Sequence, residues 1–168
     1  MKVTSLQKIQ MNEKNNSGKF IIRVYGLLIN EQKEVLLSDE YRYDMRMTKF
    51  PGGGLEFGEG PEECLLREAI EEFGQPAEII NHFYTTGFFQ KAMFFDNHQL
   101  ISIYYRIKMK EKISFAISGT PFDFATEKNG SQSFRWKKLE KLNEQDLSFA
   151  VDKFVAKRLS NQYKAGVI

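Results

Sequence analysis

Three glutamates, Glu68, Glu71 and Glu72, lie close together in the stretch Arg67-Glu68-Ala69-Ile70-Glu71-Glu72-Phe73-Gly74. On a helix of about 3.6 residues per turn they fall within an arc of roughly 100°, so three carboxylates point the same way. Like charges at i,i+4 cost about 0.2–0.5 kcal/mol on a free helix, and more where they converge in a cleft. A divalent cation removes that cost. Hard oxygen ligands of this kind suit Mg²⁺, with Mn²⁺ as a substitute, and leave water and phosphate oxygens to complete the octahedron. The chemistry these residues point to is displacement at phosphorus by a water made nucleophilic by metal and carboxylate.

Two further features stand beside the acids. Gly52-Gly53-Gly54 precedes them, and a backbone without Cβ atoms can approach a metal or a phosphate closely. Gly53 and Gly54 are therefore candidate substrate contacts. Arg67 keeps its charge at any working pH and can grip a carboxylate with two nitrogens, which makes it a clamp for Glu59 or its neighbours. Glu62 and Glu63 read as a solvated face. Cys64, the single cysteine, reads as core packing with Leu65, Ala69 and Phe73, since nothing supplies a nucleophile's partner.

These residues must be held by a helix that Pro61 opens and Gly74 stops, with Glu62 and Glu63 suited to its positive N-terminal end. Around it, Phe20 to Ile29 reads as a buried strand. A second strand starts at Val35-Leu36-Leu37 and is expected to form a hairpin with the first across Asn30 to Lys33. Thr48-Lys49-Phe50 is extended ahead of Pro51. Ala77 to Gln90, Gln99 to Met109 and Phe134 to Leu139 read as further strands, and Gly119 to Ser133 as a polar loop. Phe149 to Leu159 forms a C-terminal amphipathic helix with Phe154, Val155 and Leu159 on one side. Strands are not regularly separated by helices, which argues against a doubly wound parallel sheet and for a mixed sheet with one helix on each face.

The 168 residues suit one domain: residues 1–19 as an arm or edge strand, and 20–168 as the folded body. The net charge, 24 − 22 = +2, is too mild to argue for nucleic acid or an anionic membrane as the main partner. No apolar run is long enough to cross a bilayer, and the first residues carry no hydrophobic signal core. A lone cysteine fits a reducing compartment, so a cytoplasmic location is expected. The alternating Met1 to Met11 arm has no obvious place in a closed domain, which points to a homodimer.

The stretch from Gly53 to Gln75 resembles the Nudix box, G-x5-E-x7-R-E-U-x-E-E-x-G-U, where U is a bulky apolar residue. Gly53, Glu59, Arg67, Glu68, Glu71, Glu72 and Gly74 occupy all its fixed positions. Two apolar positions depart from it: Ala69 is small, and Gln75 stands where an aliphatic is usual. Trp136 in a late strand and a C-terminal helix agree with the family. The resemblance implies the Nudix α/β/α sandwich around a mixed β-sheet, with the catalytic helix on one face and the C-terminal helix on the other. It implies Glu68 and Glu72 as principal metal ligands, Glu71 as a further ligand or a water-orienting group, and the Gly52 carbonyl as a metal contact. Glu59 and Arg67 would fix loop and helix.

By the same resemblance the substrate is a nucleoside diphosphate linked to another group. The downstream region Gln90-Lys91-Ala92-Met93 carries neither the proline nor the tyrosine that often marks particular substrates. Phe88 and Phe89, with Tyr84, Phe94 and Phe95, are candidates to stack on a base. His82 and His98 lack spaced partners and read as ordinary structural or surface residues. Some Nudix enzymes draw a general base from the loop before the tryptophan strand. Here its only glutamate is Glu127, with Asp123 as the rival. The alternatives are a catalytically idle Nudix domain that binds a nucleotide as a sensor, which an intact glutamate set argues against, and an isomerase of prenyl diphosphates, which would need a reactive cysteine in the pocket.

Overall fold

The structure is a computed structural model that describes residues 18–168. Of the expected N-terminal arm, only Gly18 and Lys19 fall inside the described residues, and Lys19 opens the first strand. Seven strands follow the chain as β1 (Lys19–Leu28), β2 (Glu34–Arg42), β3 (Met45–Lys49), β4 (Gly52–Gly54), β5 (Ala77–Thr85), β6 (His98–Met109) and β7 (Ser131–Lys138). Helix α1 spans Pro61–Phe73 and helix α2 spans Ala150–Lys164. Among the described residues no helix is long and apolar enough to cross a membrane.

The strands form two sheets rather than one. Four run in the order β4-β1-β6-β5, with β1 and β6 parallel and the outer pairs antiparallel; three run antiparallel in the order β3-β2-β7. The expected hairpin is not made. β1 and β2 meet only in the bridge Ile29↔Val35 and then diverge into different sheets. The turn is pinned locally by Asn30, whose side chain accepts from Glu34 N at 2.9 Å, but beyond it each strand finds two other partners. That arrangement satisfies the backbone of both strands on both edges, which a two-stranded hairpin would not.

Alternation along β1 divides the core. Tyr25 and Leu27 join Val35, Leu37, Phe50 and Tyr104 in a cluster closed by Val151, Val155, Ala156 and Leu159 of α2. Val24 and Leu28 join Leu36 in a second cluster closed by Cys64, Leu65, Ala69 and Phe73 of α1. The two helices thus cover opposite faces of the β layer, the α/β/α sandwich. Helix α1 starts at Pro61, with Glu63 accepting from Gly60 N at 2.7 Å. It ends where Gly74 turns into the left-handed region at φ 65°, a conformation that costs glycine nothing.

Several boundaries differ from the sequence reading. β5 stops at Thr85, five residues early, because two bulges break its register and Gly87 follows. Beyond it the chain stays beside β6 only in separate contacts, among them Thr86 N to Ser102 O, Leu100 N to Gln90 O and the bridge Lys91↔Gln99. β7 begins at Ser131, so the polar loop is shorter than expected. Phe154 does not share the buried side of α2 with Val155 and Leu159: it is 41% exposed and packs on Tyr84 and Phe88.

The contrast along α2 is testable. Leu159→Ala, which empties a fully buried position, should cost about 2–5 kcal/mol in chemical denaturation. Phe154→Ala should cost no more than about 1.5 kcal/mol, the scale of a partly exposed aromatic contact.

Candidate active site

Arg67 organises the turn between β4 and α1. Its Nε and one terminal nitrogen grip both oxygens of Glu59 at 3.0 and 2.7 Å, and the same nitrogen donates to the Gly54 carbonyl at 3.0 Å. Its other terminal nitrogen reaches Glu68 at 3.1 Å and Glu71 at 3.2 Å. The hydrogen bonds from Arg67 hold the Glu59 carboxyl down at about 2, well below the usual carboxylate range. Arg67 thus ties the loop at Glu59 and the Gly54 carbonyl to helix α1.

Gly53 lies directly beneath the Glu68 carboxylate, so that a Cβ there would fall inside it. Gly52 N donates to Glu72 at 2.9 Å, and the Gly52 carbonyl accepts the Lys49 ammonium at 2.7 Å. Lys49 also lies 2.9 Å from Glu40 and 3.5 Å from Glu72, while Gln132 donates to Glu72 at 2.9 Å. Burial pushes the Glu72 carboxyl up, against the pull of Lys49. Burial alone would lower the Lys49 ammonium, yet Glu72 and Glu40 outweigh it and raise it.

The three box carboxylates do not converge on a single point. Among the described residues no three acidic, histidine or cysteine groups lie close enough to share an ion. Each acid has turned to its nearest cation or donor: Glu68 and Glu71 to Arg67, Glu72 to Lys49 and Gln132. The donor set nevertheless fits a hard divalent ion. Glu68, Glu72 and the Gly52 carbonyl offer only oxygen, and the Gly52 carbonyl and Glu72 already face a shared positive charge on Lys49.

Apart from the ring candidates Phe94 and Phe95, sequence reasoning missed a second set of residues. A cleft beside the carboxylates is lined by Arg23, Tyr25, Glu40, Arg42, Tyr43, Lys49, Met93, Phe94, Phe95, Tyr104, Phe149 and Asp152 among others. Glu40 and Arg42 also line the carboxylate site with Glu68, Glu71, Glu72 and Gln132. The signal was available in β2: Ser38-Asp39-Glu40 continues a buried apolar run, and all three are buried. Polar residues that continue a core strand are held for a reason other than solvation. Asp39 takes the Arg135 guanidinium at 2.7 Å and Thr48 Oγ1 at 2.6 Å, which ties β2, β3 and β7 together under the site.

The expected ring contacts fall differently. Phe88 and Phe89 do not line the cleft; Phe88 rests edge-on against Phe154, and Phe89 is exposed. Phe94 and Phe95, named with them as ring candidates, line the cleft together with Met93, and Phe94 stacks on Tyr43 at 4.5 Å. Tyr84 packs on Tyr104 and Phe154. Glu127 holds Arg46 at 2.6 Å on the exposed end of β3, and Asp123 accepts from Ser118 Oγ at 2.7 Å, so neither reaches the carboxylates. Cys64 is buried, and burial pushes its thiol up to about 12. Gln75 is buried and bonds Lys112 O and Ser114 N at 2.9 and 2.8 Å, so the polar residue at an apolar position of the box anchors the chain after β6. His82 bonds Thr85, and His98 the Asp96 carbonyl.

Known proteins share this fold. The family model of the NUDIX domain matches residues 19–157. Solved structures that share the fold include the ORF135 protein of E. coli, at 19% identity and a TM-score of 0.61 over 84% of this chain and 93% of that one. A NUDIX hydrolase from Nitrosomonas europaea matches at 16% identity and a TM-score of 0.61, over 88% and 90%. A UDP-X diphosphatase matches at 15% identity and a TM-score of 0.57, over 99% and 74%. The chain belongs to the Nudix family, whose enzymes are pyrophosphohydrolases.

Two outcomes follow from the geometry. Gly53→Ala should displace the Glu68 carboxylate, a flexible side-chain end, and cost at least about 10²-fold in turnover with the circular dichroism spectrum retained. Gly52→Ala should unfold or aggregate the protein, because its φ is 131° and a Cβ there would meet the backbone of Val24 in β1. Asp152 gives a pH dependence. Burial raises its carboxyl to about 7, against the pull of Tyr104, Lys49 and Arg23. A carboxyl raised in the folded state binds its proton more tightly there than in the unfolded chain. Stability is therefore lost as pH climbs from about 4 towards 7. Asp152→Asn should raise the melting temperature by at least about 3 °C at pH 8, with the gap narrowing below pH 6.

Proposed function

We propose that this protein is a metal-dependent Nudix hydrolase that cleaves a phosphoanhydride bond in a nucleoside diphosphate linked to another group. The observation that carries the reading is the shared wall. Glu40 and Arg42 line both the aromatic cleft and the carboxylate site. A planar ring seated among Tyr43, Phe94 and Phe149 has its phosphates directed along that wall towards Glu68 and Glu72. A base in the cleft and an anhydride at the carboxylates match the parts of a nucleoside diphosphate derivative, the kind of compound that the name of the UDP-X diphosphatase describes.

Mg²⁺ or Mn²⁺, held by Glu68, Glu72 and the Gly52 carbonyl with Glu71 beside them, would neutralise phosphate charge and acidify a water. The chain's own residues do the rest. Arg42, whose side chain is mostly solvent-exposed, is free to turn onto a phosphate oxygen along the shared wall. Arg67 keeps Glu59 and the Gly54 carbonyl fixed, so that the glycine strand β4 stays at its distance from α1. Lys49 holds the Gly52 carbonyl and Glu72 in one place between substrates. Glu127, as long as it holds Arg46, stands outside this arrangement and is assigned no step.

The test is a panel of nucleoside diphosphate derivatives with phosphate release read after phosphatase coupling. Activity should vanish on dialysis against EDTA and return with Mg²⁺ or Mn²⁺. Glu68→Gln and Glu72→Gln, which remove charge at almost constant volume, should each lower turnover at least about 10²-fold with the fold intact. Wild-type turnover in both variants would overturn the roles given to Glu68 and Glu72, and no turnover of any derivative by the unmutated protein would leave a ligand-binding domain without catalysis.

A further inference from the structure

The aromatic cleft has one polar group that the fold does not explain. Asp152, on the first turn of α2, is 1% exposed and lines the cleft. Its Oδ1 accepts from Tyr104 Oη at 2.6 Å. Its Oδ2 is buried and has no hydrogen-bond partner among the described residues. An unmatched carboxylate oxygen in a protein interior is destabilising. The surroundings fix the character of the oxygen. Burial raises the carboxyl to about 7, while Tyr104, which donates to Oδ1, and Lys49 and Arg23 on the same cleft wall pull it back towards the charged form. What Oδ2 lacks is a donor.

The rest of the cleft says what shape brings that donor. Tyr43 and Phe94 are stacked, Phe149 sits edge-on to Phe94, and Met93 completes the same wall. These are flat, polarisable surfaces that suit a planar ring. We propose that Asp152 selects the ring of the ligand, with Oδ2 accepting from the N–H groups of a planar nitrogen heterocycle. The edge it fits best carries a ring N–H next to an exocyclic amino group, the pattern found on guanine. Uracil offers a single N–H between two carbonyls, which a carboxylate repels, and hypoxanthine lacks the amino group. The inference rests on the reading of the cleft as the base seat, but it concerns recognition and not hydrolysis.

The experiment is calorimetric binding of GMP, IMP and UMP to the full chain, ligands with no anhydride to cleave. Wild-type protein should bind GMP at least about ten-fold more tightly than IMP or UMP. Asp152→Asn should lose most of its GMP affinity while its affinity for IMP changes less than about three-fold, so that the ratio collapses. Circular dichroism and the melting temperature report whether the variant is folded. A purely structural Asp152 would weaken both ligands alike. GMP binding no tighter than IMP in wild-type protein, including no millimolar binding of either, overturns the assignment whatever the variant does, as does an unchanged ratio in folded Asp152→Asn. Base discrimination without turnover of any diphosphate derivative would leave this inference standing and remove the hydrolase reading. Turnover without base discrimination would do the reverse.

Discussion

A helix that places Glu68, Glu71 and Glu72 on one arc works against itself electrostatically, and the Arg67 guanidinium is what makes it tolerable next to a strand of three glycines. One side chain spans the gap: two nitrogens on Glu59, one of them also on the Gly54 carbonyl, and a third on Glu68 and Glu71. A lysine in that position would provide charge without the fork, and could not fix loop and helix at once. The spacing between β4 and α1 follows from this contact. It sets the Gly53 backbone against the Glu68 carboxylate, where only glycine fits, and the Gly52 N–H against Glu72.

The second dependence runs through β2. Its apolar half belongs to the core, with Val35 and Leu37 facing α2 and Leu36 facing α1. Its polar half leaves the core between the two sheets and becomes the wall common to the cleft and the carboxylates. Because β1 and β2 part after a single bridge, a groove opens between the sheets that a continuous hairpin would have closed. The cleft thus rests on a topological departure: strands adjacent in sequence separate, and the space between them is lined by whatever the strand carries there.

Lys49 shows how tightly the site is balanced. Its ammonium is almost fully buried, yet it stays charged because Glu40, Glu72 and the Gly52 carbonyl surround it. Buried ion pairs of this kind contribute little to stability after desolvation, but removing one partner leaves the other uncompensated. Lys49, Glu40, Glu72 and Gln132 behave as one unit spread over β3, β2, α1 and β7.

The sequence by itself determined the local geometry around the box glutamates. The glutamates, Arg67, Glu59 and the glycines lie within one strand–loop–helix unit, where helical periodicity and capping rules translate spacing directly into geometry. The helix limits at Pro61 and Gly74 were legible for the same reason. The cleft was not. It is assembled from β1, β2, β3, β6, residues 92–95 and the start of α2, segments more than a hundred residues apart. Phe88 and Phe94 look alike in a sequence, and only the early end of β5 at Thr85 decides that Phe94 faces the cleft while Phe88 packs on α2. Asp152 reads as an ordinary helix N-terminal acid until tertiary packing buries it against Tyr104. Local rules fix what neighbours in sequence can do to one another. Which distant side chains share a dry pocket is decided by how the two sheets diverge, and that depends on the pairing of every strand at once.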